Sequence, residues 1–138
     1  MMVIFIMFHI GTVAAKANEH SDTPYTFGFD TYQGYTQTET RPKTYTSYMY
    51  MYCTSSEILG TVYSAEAYGA DWEYSYGERC SKNGVWKKYF TEGTKLPITN
   101  DVYEKRFRDA FIQGSLVNDQ GFGSCMFWGL WSPDSIGY

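Results

Sequence analysis

Residues 44–53 read Thr44-Tyr45-Thr46-Ser47-Tyr48-Met49-Tyr50-Met51-Tyr52-Cys53, and the last six alternate strictly between a tyrosine and a sulfur-bearing side chain. Successive side chains of an extended chain point to opposite faces, so Tyr48, Tyr50 and Tyr52 share one face while Met49, Met51 and Cys53 share the other. A helix would scatter the same tyrosines around its circumference. The Met/Cys face is expected to enter a core. The tyrosine face can stay half-exposed, each ring covering apolar neighbours while its hydroxyl meets water.

The same two-residue rhythm recurs on either side. Tyr25, Phe27 and Phe29 alternate with Thr26 and Gly28 and predict a first strand. Tyr35 to Thr40 has no strongly apolar face and is read as an edge strand ended by Arg41-Pro42. A further strand is expected over 58–68, bent at Gly60 and interrupted at Gly69-Ala70. From Asp71 to Tyr76 the alternation puts Trp72, Tyr74 and Tyr76 on one side; laid beside Tyr48 to Tyr52, these rings would form cross-strand pairs that lock the register. Asn83-Gly84 is a type I′ turn signal, expected to join a strand ending near Cys80 to residues 85–90 as a hairpin.

Val102 to Phe111 fits both a helical and a strand period. The expectation is a short helical turn near Val102 to Lys105, with Asp101 as N-cap, leading into a strand to Val117. Phe122 to Trp131 makes the last strand, and Ser132-Pro133-Asp134 forms a turn that caps the sheet. Together these elements predict an all-β fold, a single antiparallel β-sandwich or open barrel with at most one short helix.

Composition agrees. Aromatic residues make up 20% of the 138 residues, Tyr is the commonest of them, and helix-favouring leucine is scarce. The net charge is −4 and the basic residues are scattered apart from Lys87-Lys88 and the cluster Lys105, Arg106 and Arg108. A chain that neutralises phosphates along a duplex needs a basic patch, so no nucleic-acid partner is expected, and the small clusters read as solvated faces.

The opening run Met1 to Ala15 is apolar and closes on Ala15-Lys16-Ala17, the small-residue pattern that a signal peptidase reads. Residues 1–17 are therefore read as a signal peptide in helical form, with cleavage before Asn18, and residues 18–138 as one β-rich domain. The alternative, a retained anchor, needs roughly 20 apolar residues, more than this run offers. The expected location is secreted, extracellular.

Only two histidines occur, His9 inside the expected signal and His20 just after it. Histidine-based hydrolysis and His-ligated zinc therefore lack their central residue. The three cysteines Cys53, Cys80 and Cys125 are too far apart for a CxxC redox or zinc motif. No cofactor and no metal are expected, and the chain is read as a non-enzyme. An oxidising compartment would permit one disulfide, with Cys53 and Cys80 preferred because both are expected at the ends of neighbouring strands; three small buried thiols are the other reading.

Several pieces resemble a group of small uncharacterised exported proteins of Gram-positive bacteria that carry a domain of unknown function, some of them encoded near bacteriocin loci. The pieces are Thr38 to Lys43 with the following Thr-Ser-Tyr-Met strand, Ala67-Tyr68-Gly69-Ala70, Val102-Tyr103-Glu104 and the terminal Gly129 to Ser135. The resemblance implies no activity. Read from the residues, the first function is a secreted binding or interaction module whose contacts are Tyr48, Tyr50, Tyr52, Trp72, Tyr74 and Tyr76, with a glycan, a cell-envelope component or a protein as partner. The alternatives are a bacteriocin-like antagonist acting at a cell envelope and a small hydrolase using a pair among Glu57, Glu66, Asp71, Glu73 and Glu78.

Overall fold

The computed structural model describes residues 20–30, 34–72, 76–117 and 124–137; the expected signal helix, Tyr74 and Phe122 lie outside the described residues. Among the described residues ten strands form two antiparallel sheets: β1 (Thr23–Asp30), β2 (Tyr35–Gln37), β3 (Arg41–Pro42), β4 (Met49–Ser56), β5 (Tyr63–Ala70), β6 (Glu78–Arg79), β7 (Lys88–Phe90), β8 (Lys95–Ile98), β9 (Asp109–Leu116) and β10 (Ser124–Ser132). Sheet one runs β1-β10-β4-β8 and sheet two β2-β9-β5-β6, with β3 also paired to β9 and β7 to β5. The architecture is an all-β sandwich, with no helix among the described residues.

The predicted alternation decides what faces inward. Tyr25, Phe27 and Phe29 on β1, Met49, Met51 and Cys53 on β4, and Cys125, Phe127 and Trp131 on β10 are all buried. The cross-strand register lines them up, Phe27 opposite Phe127 and Met51 opposite Trp131. Sheet two answers these large side chains with small ones: Ala65 and Ala67 on β5 and Ala110 and Gly114 on β9 are buried beneath them. A Cβ on Gly114 would lie 2.6 Å from the Phe27 ring, so glycine there makes room for that ring. Tyr63, Phe90 and Ile112 are the large exceptions on sheet two; the Tyr63 ring stacks on Phe90 at 5.4 Å and meets Phe127 edge-on at 4.8 Å. The Tyr63 hydroxyl shares a hydrogen bond of 2.5 Å with Tyr25, which satisfies both buried phenols across the sandwich.

Sheet one bulges at Trp128/Gly129. Gly129 sits where a Cβ would strike the Tyr52 carbonyl and lie 2.6 Å from the Tyr25 ring. Gly129→Ala is therefore expected to destabilise the fold by about 1–3 kcal/mol through overpacking against backbone that cannot yield. An unchanged urea midpoint in that variant would show that β4 and β10 are not pressed together there.

Five expectations need correction. The strand expected over 58–68 begins only at Tyr63 and runs on through Gly69 and Ala70. The strand expected from Thr44 begins only at Met49, because Thr44 to Ser47 wraps around Asp134. Arg41-Pro42 does not end pairing: the chain steps out at Thr38, whose hydroxyl accepts from the Ile112 N–H at 3.0 Å, and re-pairs as β3. Asn83-Gly84 does adopt positive φ (53° and 87°), with Val85 N donating to Lys82 O at 3.1 Å. It does not make a hairpin, because β6 and β7 both pair antiparallel to β5 and so run in the same direction. Finally, residues 71–77 connect β5 to its antiparallel partner β6 on sheet two, so Trp72 and Tyr76 do not lie in a strand beside Tyr48 to Tyr52. The turn expected at Val102 to Lys105 is present, closed by Lys105 N to Asp101 O at 3.0 Å.

Candidate functional site

The outer face of sheet one is built from the side chains that alternate with its core. On β4 these are Tyr50 and Tyr52, in register with Ser132 and Leu130 of β10 on one side and with Pro97 and Lys95 of β8 on the other. Trp128 stands two residues from Leu130 on the same face of β10, opposite Thr26 of β1. Trp128 is 38% exposed, Tyr52 and Leu130 are half-buried, and Tyr50 is 8% exposed. Lys95 lies with its ammonium 5.8 Å from the Tyr50 ring centre and 5.6 Å from that of Tyr52, a cation held over two π faces. At the margin, a shallow recess of about 270 Å³ is lined by His20, Asp22, Tyr50, Lys95 and Ser135.

This arrangement regroups the predicted contact residues. Tyr50 and Tyr52 share the face as the period-two reading requires, and exposed Tyr48 precedes the strand. Exposed Trp72 and fully exposed Tyr76 belong to the connection between β5 and β6 of the other sheet. The aromatic neighbour of the tyrosines is Trp128, with Leu130 and Lys95, none of which was singled out from sequence. Their signal was available: Met126, Trp128 and Leu130 alternate with the buried Cys125, Phe127 and Gly129.

The expected cap is also in place and is more than a turn. Lys43 forms an ion pair with Asp134, both side chains fully buried. Asp134 also accepts from Thr44 N at 3.0 Å, Thr44 Oγ1 at 2.9 Å and Ser47 Oγ at 2.8 Å. Lys43 donates a further bond of 2.7 Å to Ser47 O, and Ser135 Oγ donates to Tyr48 O at 2.8 Å. The short stretches Pro42-Lys43 and Pro133-Asp134-Ser135, 90 residues apart in sequence, thus meet in one knot under the tyrosine strand.

A family model matches residues 11–135 of the chain. The protein belongs to the DUF2712 family, described as proteins of unknown function. No curated protein and no solved structure matches it.

In this DUF2712 protein the three cysteines are free and buried, Cys53 on β4 of sheet one and Cys80 just after β6 of sheet two, so they do not end neighbouring strands. Burial pushes the Cys53 thiol above its ordinary range and that of Cys80 up to about 12. Thiols held protonated in this way are poor nucleophiles. Of the carboxylates, Glu66 is buried on β5 and accepts from Arg79 Nε and Nη2 at 2.8 Å each and from Ser81 Oγ at 2.7 Å. Burial raises its pKa, but these bonds outweigh burial and hold it below the ordinary Glu range. Glu57 accepts from Met126 N at 3.0 Å and Glu78 from Lys105 at 3.2 Å. Among the described residues no three His, Cys, Asp or Glu side chains are grouped to hold a metal ion.

Proposed function

We propose that this DUF2712 protein is an exported, non-catalytic binding module whose contact surface is the outer face of sheet one, with a glycan as ligand. The observation that supports this reading is the clustering of Tyr52, Trp128 and Leu130 on one flat sheet face, with Lys95 laid over the tyrosines. Flat rings on a sheet stack on the apolar faces of sugar rings at little conformational cost, because β10 is held on one side by β1 and on the other, across the bulge at Trp128/Gly129, by β4. Lys95, Thr26 and Thr54 border the rings with groups that hydrogen-bond sugar hydroxyls. Export is supported by the apolar run Met1 to Ala15 and its Ala15-Lys16-Ala17 end.

The test is retention of the purified protein, without residues 1–17, on immobilised peptidoglycan and on neutral polysaccharides. Trp128→Ala and Tyr52→Ala are each expected to weaken retention about tenfold or more, a loss of roughly 1.4 kcal/mol. Trp72→Ala, on the other sheet, should leave it intact. Equal retention of all three variants, or of none including the parent chain, rejects the face as a glycan surface. Loss of a protein partner in place of a polysaccharide would move the ligand class and keep the face.

A further inference from the structure

Away from sheet one's outer face, a groove of about 820 Å³ runs between the loop that follows β3 and the turn that precedes β9. We propose that this groove is a second binding site and that it takes an anionic oligosaccharide, one whose sugar rings carry carboxylates. It shares no residue with the proposed face of Tyr50, Tyr52, Trp128 and Leu130, and does not depend on that face binding anything.

Both walls are fixed before any ligand arrives. The loop wall, with Tyr45 and Thr46, is held by the Asp134 carboxylate through Thr44 and Ser47. The turn wall is closed by Lys105 N to Asp101 O at 3.0 Å, Arg106 N to Tyr103 O at 2.9 Å and Phe107 N to Val102 O at 3.2 Å, and is anchored by buried Val102. Lys43 N donates to Arg108 O at 3.0 Å and ties the walls together.

The lining suits a sugar acid. Tyr45 and Tyr103 are 48% and 45% exposed, one on each wall, and offer ring faces and hydroxyls. Among the charged side chains lining the groove, Lys43 is neutralised by Asp134 and Arg108 is paired with Asp109, which leaves Arg106 and Glu104. Arg108 uses Nε on Asp109 at 3.2 Å, while the Arg106 guanidinium has no hydrogen bond or ion pair among the described residues. Guanidinium groups recognise carboxylates in a planar two-pronged geometry, and here one is uncommitted.

Arg106 is at φ 65°, a left-handed conformation that glycine or asparagine adopts more cheaply. An exposed arginine at such a position, lining a groove with its guanidinium unpaired, fits a residue placed for a ligand. The groove lies between two loops and offers no long strand edge to pair with an extended acidic peptide, which favours the sugar chain.

The experiment titrates the protein lacking residues 1–17 with trigalacturonate, with a neutral galactose trisaccharide and with poly-L-glutamate, read by calorimetry or by amide chemical shifts. Binding is expected for trigalacturonate alone, weakening as salt is raised. Arg106→Gln and Arg108→Gln should each lower affinity at least tenfold, and Val85→Ala, at an exposed position outside the groove, should not change it. Arg106→Gly supplies the control for folding: it should melt at the same temperature or higher and still lose trigalacturonate. No binding of trigalacturonate, unaltered binding by Arg106→Gly, or preference for poly-L-glutamate overturns the proposal.

Discussion

Asp134→Ala is expected to be the most damaging single substitution in the cap, costing about 3–5 kcal/mol of folding stability, the range for removing one partner of a buried ion pair. It strips the acceptor from four donors at once: the Lys43 ammonium, the Thr44 N–H, the Thr44 hydroxyl and the Ser47 hydroxyl. Lys43→Met should cost less. It leaves the carboxylate with three donors, and the four-carbon stem is replaced by apolar volume of similar size. The ranking is read from urea unfolding midpoints, and equal losses in the two variants would show that the charge pair, not the hydroxyl and amide bonds, dominates the knot.

The same site sets a pH dependence. Burial alone would raise the Asp134 pKa, but the bonds from Lys43, Thr44 and Ser47 overcome it and leave the carboxyl below the ordinary Asp range. A carboxyl with a depressed folded pKa binds fewer protons in the folded state than in the unfolded state. Its contribution is therefore complete above the unfolded Asp pKa and is lost as the pH falls through the folded one. Glu66, also depressed by its partners, adds to the loss in the same direction. The urea midpoint should drop between neutral and strongly acid pH, and Asp134→Ala should flatten that drop.

Phe27→Ala is expected to destabilise the core by about 3–5 kcal/mol, the usual cost of deleting a buried phenyl ring. Phe27 is fully buried and its ring lies 4.7 Å from Tyr25, 6.0 Å from Phe29 and 5.3 Å from Tyr63. The cavity would open against Gly114, the residue that makes room for this ring. Gly114→Ala alone overpacks the site, yet in the Phe27→Ala background the added methyl enters free space. The two substitutions should couple, the double variant being more stable than the sum of the single losses predicts. Strict additivity would mean that the sandwich closes over the missing ring by itself.

Much of this architecture is legible in single strands. Alternation at Tyr25 to Phe29 and at Tyr48 to Cys53 names the core-facing side chains correctly, because the two-residue repeat sets which face each side chain joins; that Tyr50 on the opposite face is covered too depends on its neighbours. The turn preferences were legible as well: Asn83-Gly84 takes the left-handed φ values its type I′ signal calls for. What that turn connects was not legible, since β6 and β7 both lie along the same edge of β5, a strand outside the turn itself. The candidate face shows the same division. Tyr50 and Tyr52 could be placed side by side from their own strand, whereas the choice between Trp72 and Trp128 as their neighbour depends on which sheet each strand joins.

The sequence by itself determined the strand character, the inward faces, the tyrosine flank and the turn positions, because each is set by steric preferences acting within a few residues. Only the tertiary structure decided that β10 lies between β1 and β4, that Lys43 finds Asp134, and that Tyr45 and Tyr103 line one groove. Those are encounters between distant segments, settled by how two sheets pack ring against alanine and how a buried charge finds its counterion, and no local pattern encodes them.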